Sequence, residues 1–143
     1  MNRLCHEQIY VDTNIFIAAV EAFNGKALEL FRMAERGLVF LLTSEVTRGE
    51  LLVKPIQTAD EALQERYQNL FNPDNGMSAL PIDQEIISAA AEISATRGLE
   101  LLDAVHCATA ETADCTYIIS EDRDLRSYSK IDVLSLEDLE ALS

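Results

Sequence analysis

The stretch "IYVDTNIFI", Ile9 to Ile17, decides the fold. Ile9, Tyr10 and Val11 read as the end of a buried strand, and Ile15, Phe16 and Ile17 read as core again. Between them stand Asp12, Thr13 and Asn14, which are small, polar and costly to bury without partners. A strand that served only to fill a core would not carry a carboxylate there. Asp12 reads either as a turn residue or as part of a site, and the apolar neighbours on both sides sit less comfortably with the turn.

Working outward, Asn24 to Gly37 reads as a helix with an apolar stripe at Leu28, Leu30, Phe31 and Ala34, stopped by Gly37. Leu38 to Thr43 is a continuous apolar run, as in a strand buried on both faces. Ser44 is a good N-cap for a helix running to about Val53, before Lys54-Pro55. A further helix covers about Ala59 to Phe71, and "NPDNG", Asn72 to Gly76, is turn chemistry. Ser78 to Ile82 is a short strand whose Pro81 points to an edge or an end. Helices follow from Asp83 to about Thr96 and from about Leu102 to Thr112. Thr116 to Ser120 is a strand, Asp122 to Tyr128 a short helix or turn, Ile131 to Leu134 a last strand, and Ser135 caps a terminal helix. Strands alternate with helices, which predicts βαβ units, a parallel sheet and a three-layer α/β/α sandwich. No repeat or long linker divides the chain, so residues 1–143 are expected to form one domain.

The composition narrows the function. Almost half of the 143 residues are apolar, enough for a real core, yet no apolar run reaches membrane-spanning length. The start lacks a signal-peptide pattern, so a cytoplasmic location is the expectation. Cys5, Cys107 and Cys115 show no C-x-x-C spacing and read as reduced thiols. The net charge is -14, with 25 acidic and 11 basic residues, which argues against a generic nucleic-acid binder. The acid either keeps the protein soluble or converges in part on a cation site.

In open parallel sheets, ligands bind outside the carboxyl ends of the strands. Asp12 directly follows the first strand, and Asp122 follows "YIIS" by one residue. Two more acids interrupt apolar helical faces: Glu50 in "EVTRGELLV" and Asp103 in "LELLDAVHCATA". Each has an ordinary reading, with Asp122 as an N-cap, Asp103 favoured by a helix dipole and Glu50 facing solvent. Four in one small domain point to a joint role. Crowded carboxylates repel, which is relieved when one holds a proton or a hard cation binds. Mg²⁺ and Mn²⁺ take oxygen ligands, use one or two carboxylates directly and keep waters. The crowding predicts at least one raised carboxyl pKa, and predicts that neutralising Asp12 stabilises the metal-free fold. Gly-rich phosphate loops, G-x-S-x-G and H-E-x-x-H are absent. His106, one turn after Asp103, reads first as a packed helix histidine and second as a contact to the site. Arg48, Arg123, Arg126 and Lys54 are the cations near these acids that could hold a nucleic-acid backbone.

"YVDTNIFI", "GELL", "LLDAVHCATA" and "IISEDRDL", in this order, resemble the PIN-domain ribonucleases, and among them the small single-domain toxins of toxin–antitoxin pairs. The resemblance runs from Gln8 to about Leu136. It implies a parallel sheet in the order 3-2-1-4-5 and cleavage of RNA that depends on Mg²⁺ or Mn²⁺. It implies catalytic roles for Asp12, Glu50, Asp103 and Asp122, with Asp12, Asp103 and Asp122 as metal ligands, direct or through water. Asn14 would orient Asp12 or a metal water, Ser120 takes the small hydroxyl position, and Asp124 could share the role of Asp122. Arg48 and Arg123 are the candidate substrate contacts. A cognate antitoxin protein and a homodimer are the implied protein partners. The second reading is a PIN-like binding module with weak or no catalysis, whose acidic cleft holds a basic segment of a partner. A phosphohydrolase with an aspartate nucleophile is disfavoured, because Asn14 stands where that scaffold has its second aspartate.

Overall fold

The computed structural model describes residues 4–128 and 130–142. The elements follow in chain order as β1 (Gln8–Val11), α1 (Thr13–Val20), α2 (Gly25–Glu35), β2 (Phe40–Ser44), α3 (Glu45–Gln57) and α4 (Glu61–Leu70). A single 3₁₀ turn (Pro73–Asn75) leads to β3 (Met77–Leu80), α5 (Gln84–Arg97), α6 (Leu101–Thr112), β4 (Tyr117–Ile119), α7 (Arg123–Tyr128), β5 (Asp132–Leu134) and α8 (Leu136–Leu142).

The five strands form one sheet in the order β3-β2-β1-β4-β5, and every pairing is parallel. Side chains alternate across a strand, and β1 shows what that does to the core. Ile9 and Val11 join the apolar cluster built with α1, α2 and α8, while Tyr10 joins the cluster built with α5 and α6. Helices therefore cover both faces, and all three side chains are fully buried. The three-layer α/β/α sandwich with strand order 3-2-1-4-5 is thus the observed architecture. Its switch point lies between β1 and β4, where Val11 pairs with Ile119. The next residue on each strand, Asp12 and Ser120, opens the carboxyl edge there.

One element adds to the sequence reading and two boundaries differ from it, each for a physical reason. Ile15 to Ile17, read from the sequence as core with no element assigned, lie in α1, which Asp12 caps by accepting a hydrogen bond from the Thr13 N–H at 2.8 Å. Ile15 and Phe16 are buried as expected, whereas Ile17 falls on the outer face of α1 and is 42% exposed. The strand expected from Leu38 starts at Phe40, because the Leu38 N–H still closes the end of α2 on the Met33 carbonyl. Finally, α3 continues through Pro55 to Gln57. A proline N has no proton to donate, but it lies in the last turn here, and the Thr58 N–H resumes the pattern on the Lys54 carbonyl at 3.0 Å. Pro81 lies just beyond β3, an edge strand, as its ring predicts.

Candidate active site

Asp12 is 6% exposed, and hydrogen-bond donors surround its carboxyl group. Besides the Thr13 N–H, it accepts from Ser120 Oγ at 2.6 Å and from Asn14 Nδ2 at 3.3 Å. Asn14 ties the two strand ends together: its Nδ2 also reaches Ser120 Oγ at 3.4 Å, and its Oδ1 accepts the Glu121 N–H at 3.2 Å. Ser120 Oγ in turn accepts the Asp122 N–H at 3.0 Å. The small polar residues that looked out of place after β1 thus form a latch between β1 and β4.

Asp122 accepts the Asp124 N–H at 2.9 Å, so it does cap α7. It also stands close enough to Asp103 to oppose that residue's ionisation. Asp103, in the first turn of α6, is raised above the ordinary aspartate range. Burial is the largest cause, followed by the charges of Asp122 and Asp12, with His106 opposing. The structure thereby moves the strain from Asp12, where the sequence put it, to Asp103. Asp12 is satisfied by neighbours, while no hydrogen bond to the Asp103 carboxylate occurs among the described residues.

Glu50 projects from α3 and accepts two bonds on one oxygen. Thr13 Oγ1 donates to its Oε1 at 2.8 Å, and His106 Nε2 lies 2.9 Å from the same atom. Burial pushes the Glu50 carboxyl up, but the bonds from His106 and Thr13 outweigh it and hold it below the ordinary range. His106 is both things the sequence allowed. It is 2% exposed in the core, and it touches the site, with Nε2 also 3.5 Å from Asp12 Oδ1. Its other nitrogen, Nδ1, sits 2.6 Å from the Tyr10 hydroxyl. The link from Tyr10 to His106 to Glu50 crosses three elements, so no local pattern announces it. Only the spacing from Asp103 to His106, one turn of α6, hints at it.

The remaining candidates divide. Arg123 is exposed beside the edge and lines a cleft of about 470 Å³ with Ser120, Arg126 and Asp138. Arg126 pairs with Asp138. Arg48 is engaged inside the fold: it binds Glu45 at 2.8 and 3.2 Å and Gln68 at 2.6 Å, and its guanidinium lies 4.3 Å from the Phe71 ring centroid. It clamps α3 to α4. The Asp124 side chain is exposed and makes no hydrogen bond to the cluster among the described residues. Cys107 and Cys115 are buried free thiols, each pushed up to about 12 by burial, and thus inert as nucleophiles.

Among the described residues, no group of three or more His, Cys, Asp or Glu side chains is arranged to hold a metal ion. The edge offers no closed cage. The donor chemistry still fits a hard cation, since the acids present oxygen only and such ions need one or two carboxylates plus water. Asp103, desolvated, repelled by its neighbours and without a donor among the described residues, is the group whose charge a cation would relieve.

A doubly wound parallel sheet whose switch point gathers carboxylates defines an α/β protein with an acidic edge site. The PIN-domain family model matches residues 9–131, and the chain belongs to the PIN-domain family. Among curated proteins, none matches the chain in sequence. Its fold is similar to that of many solved structures, among them these three. One is a toxin–antitoxin complex from Klebsiella pneumoniae, with 19% identity over 90% of this chain and 97% of that one and a TM-score of 0.68. Another is FitAcB from Neisseria gonorrhoeae, with 19% identity over 90% and 98% and a TM-score of 0.64. The third is VapC20 from Mycobacterium tuberculosis, a toxin that cleaves the sarcin-ricin loop, with 16% identity over 83% and 93% and a TM-score of 0.67. At these identities the likeness is one of fold. No helix among the described residues is long and apolar enough to cross a membrane.

Proposed function

We propose that this chain is a metal-dependent endoribonuclease, the toxin of a toxin–antitoxin pair, and that residues 1–143 form one PIN domain. The observation that carries the reading is the set of carboxylates, Asp12, Glu50, Asp103 and Asp122, at the switch point of a parallel sheet. Membership of the PIN family supports phosphodiester chemistry. The structural likeness to a toxin that cuts the sarcin-ricin loop supports RNA as substrate. The likeness to toxin–antitoxin complexes supports a cognate antitoxin as partner. A cytoplasmic location follows from an RNA substrate. A homodimer is supported by exposed apolar side chains at Ile82, Ile87, Leu101 and Leu102, which a second copy would cover.

Asp12 and Asp103, with Asp122, would hold a divalent ion, Mg²⁺ or Mn²⁺. Bound there, such an ion supplies a more acidic water and offsets charge developing on the phosphate. Glu50, held in its charged form by Thr13 and His106, accepts a hydrogen bond from the attacking water and aligns it. Asn14 and Ser120 fix the orientation of Asp12 through the bonds already described. Arg123, exposed beside the edge, meets the RNA backbone. Arg48, already engaged by Glu45 and Gln68, is the weaker of the two substrate contacts, and Asp124 can assist Asp122 once substrate is present. In-line attack would leave 5′-phosphate and 3′-hydroxyl ends.

Purified protein should cleave single-stranded or hairpin RNA with Mg²⁺ or Mn²⁺, and EDTA should stop it. Asp103→Asn should lower the rate at least about 100-fold, the scale on which a single transition-state charge contact acts. The binding-module reading gains from the absence of a closed metal cage among the described residues. Protein inactive on a broad RNA panel with both metals, yet tight on a basic antitoxin segment, would establish that reading instead.

A further inference from the structure

Glu50 differs from the aspartates in how it reaches the edge. It comes from α3, it has three side-chain torsions, and a third of its side chain is exposed (33%). Left alone, such a side chain samples several rotamers. Here its Oε1 is fixed from behind by Thr13 Oγ1 and by His106 Nε2. Ionised carboxylates only accept, and Nε2 faces two of them, Glu50 at 2.9 Å and Asp12 at 3.5 Å. Nε2 must therefore carry a proton. The imidazole cannot turn away, because the Tyr10 hydroxyl holds Nδ1 at 2.6 Å and the two rings meet edge to face at 5.8 Å. Tyr10 itself is 0% exposed and sits on β1, the central strand, paired on both sides.

We propose that Tyr10 and His106 are a positioning pair that acts on Glu50, anchoring its Oε1 to the core and leaving Oε2 as the oxygen it offers to the cleft. The pair touches no substrate; it works through the glutamate, as the hydrogen-bond partners behind a ligand do in metal sites, where their loss costs 10–100-fold. Histidine suits the task because one ring bridges a buried phenol and a carboxylate with opposite edges. The inference rests on the nuclease reading for its kinetic and Mn²⁺-binding readouts, and the imidazole NMR readout is independent of it.

The test is a double-mutant cycle read by Mn²⁺ affinity, from calorimetry, and by kcat and KM on a cleaved RNA. His106→Leu should weaken Mn²⁺ binding and lower kcat by about tenfold or more, with KM little changed. In a Glu50→Gln background the same change should have little further effect. His106→Gln, which returns an N–H donor near the position of Nε2, should recover most of the loss, and Tyr10→Phe should fall between. Additive effects of His106→Leu and Glu50→Gln would overturn the proposal, as would a loss unrescued by His106→Gln in protein that melts normally. If the protein neither binds Mn²⁺ nor cleaves RNA, the nuclease reading falls and the pair is judged by imidazole NMR. The Nε2 proton of His106 should exchange slowly in the wild type and quickly in Glu50→Leu. Equal exchange in both would overturn the pair.

Discussion

At the scale of the residue, Asp12 and Asp103 are opposites. Asp12 is nearly buried yet accepts from a backbone N–H, a hydroxyl and an amide. Asp103 is less buried but has no hydrogen-bond donor among the described residues, and three acidic neighbours, Asp122, Asp12 and Glu100, oppose its charge. Removing the charge should then act in opposite directions. Asp12→Asn places an NH₂ group among donors that need an acceptor, and should destabilise the metal-free protein by about 1–2 kcal/mol. Asp103→Asn relieves repulsion, and after solvent screening should stabilise it by at most about 1 kcal/mol. The pH dependence follows from the raised Asp103 carboxyl. In the window between its unfolded and folded pKa values, the folded chain binds more protons than the unfolded one, so stability falls as pH rises through the folded value. The advantage of Asp103→Asn should therefore be full at neutral pH and vanish as the pH drops below that value. Thermal melts in EDTA across this range test both claims. A lower melting temperature for Asp103→Asn at neutral pH would mean that its carboxylate has a stabilising partner and is not the strained member.

At the scale of the element, Gly76 shows a helix and a strand meeting too closely for any other residue. It ends the 3₁₀ turn with φ of 76°, and a Cβ there would stand 2.4 Å from the Ala34 carbonyl oxygen of α2. Gly76→Ala combines a left-handed backbone with a clash against main chain, and should cost roughly 1–3 kcal/mol while leaving Mn²⁺ affinity unchanged. Denaturant melts and calorimetry would check the pair of outcomes, and a change in affinity would mean that β3 and its neighbours transmit to the site. This turn was readable in "NPDNG", because turn chemistry is local. The strand alternation and the strand-end aspartates were readable for the same reason. Helix α1 was not, since "IFI" satisfies a strand and a helix equally over three residues, and only the geometry of Asp12 as a cap decides between them. The continuation of α3 past Pro55 was hidden too, because a proline near a helix end is tolerated or not according to which carbonyl loses its donor. For His106 the one-turn spacing from Asp103 hinted at a place beside the site, but not at its partners: Tyr10 and Glu50 are distant in sequence, and folding alone brings them to one ring.

At the scale of the whole molecule, a net charge of -14 has to be reconciled with a polyanionic substrate. Basic nucleic-acid binders release counterions from every phosphate they neutralise, so affinity falls steeply with salt. Few cations near this edge are available for that. Arg48 is engaged by Glu45 and Gln68, Arg126 by Asp138, and Lys54 lies 4.0 Å from Glu21. Arg123 is an exposed guanidinium at the cleft. With one or two phosphates contacted, log K against log salt for single-stranded RNA should have a slope of only about -0.7 to -1.4. Screening of the protein's own repulsion by added salt flattens it further. Affinity should then come from divalent ions and from the shape of a folded RNA rather than from a general electrostatic field. Fluorescence anisotropy with the Arg123→Ala variant, beside wild type in EDTA to prevent cleavage, makes this measurable. The variant's slope should be shallower than wild type's by about 0.7, the share of one phosphate. A wild-type slope steeper than about -3 would require several further phosphate contacts, and the substrate would then have to lie across a basic surface elsewhere on the chain.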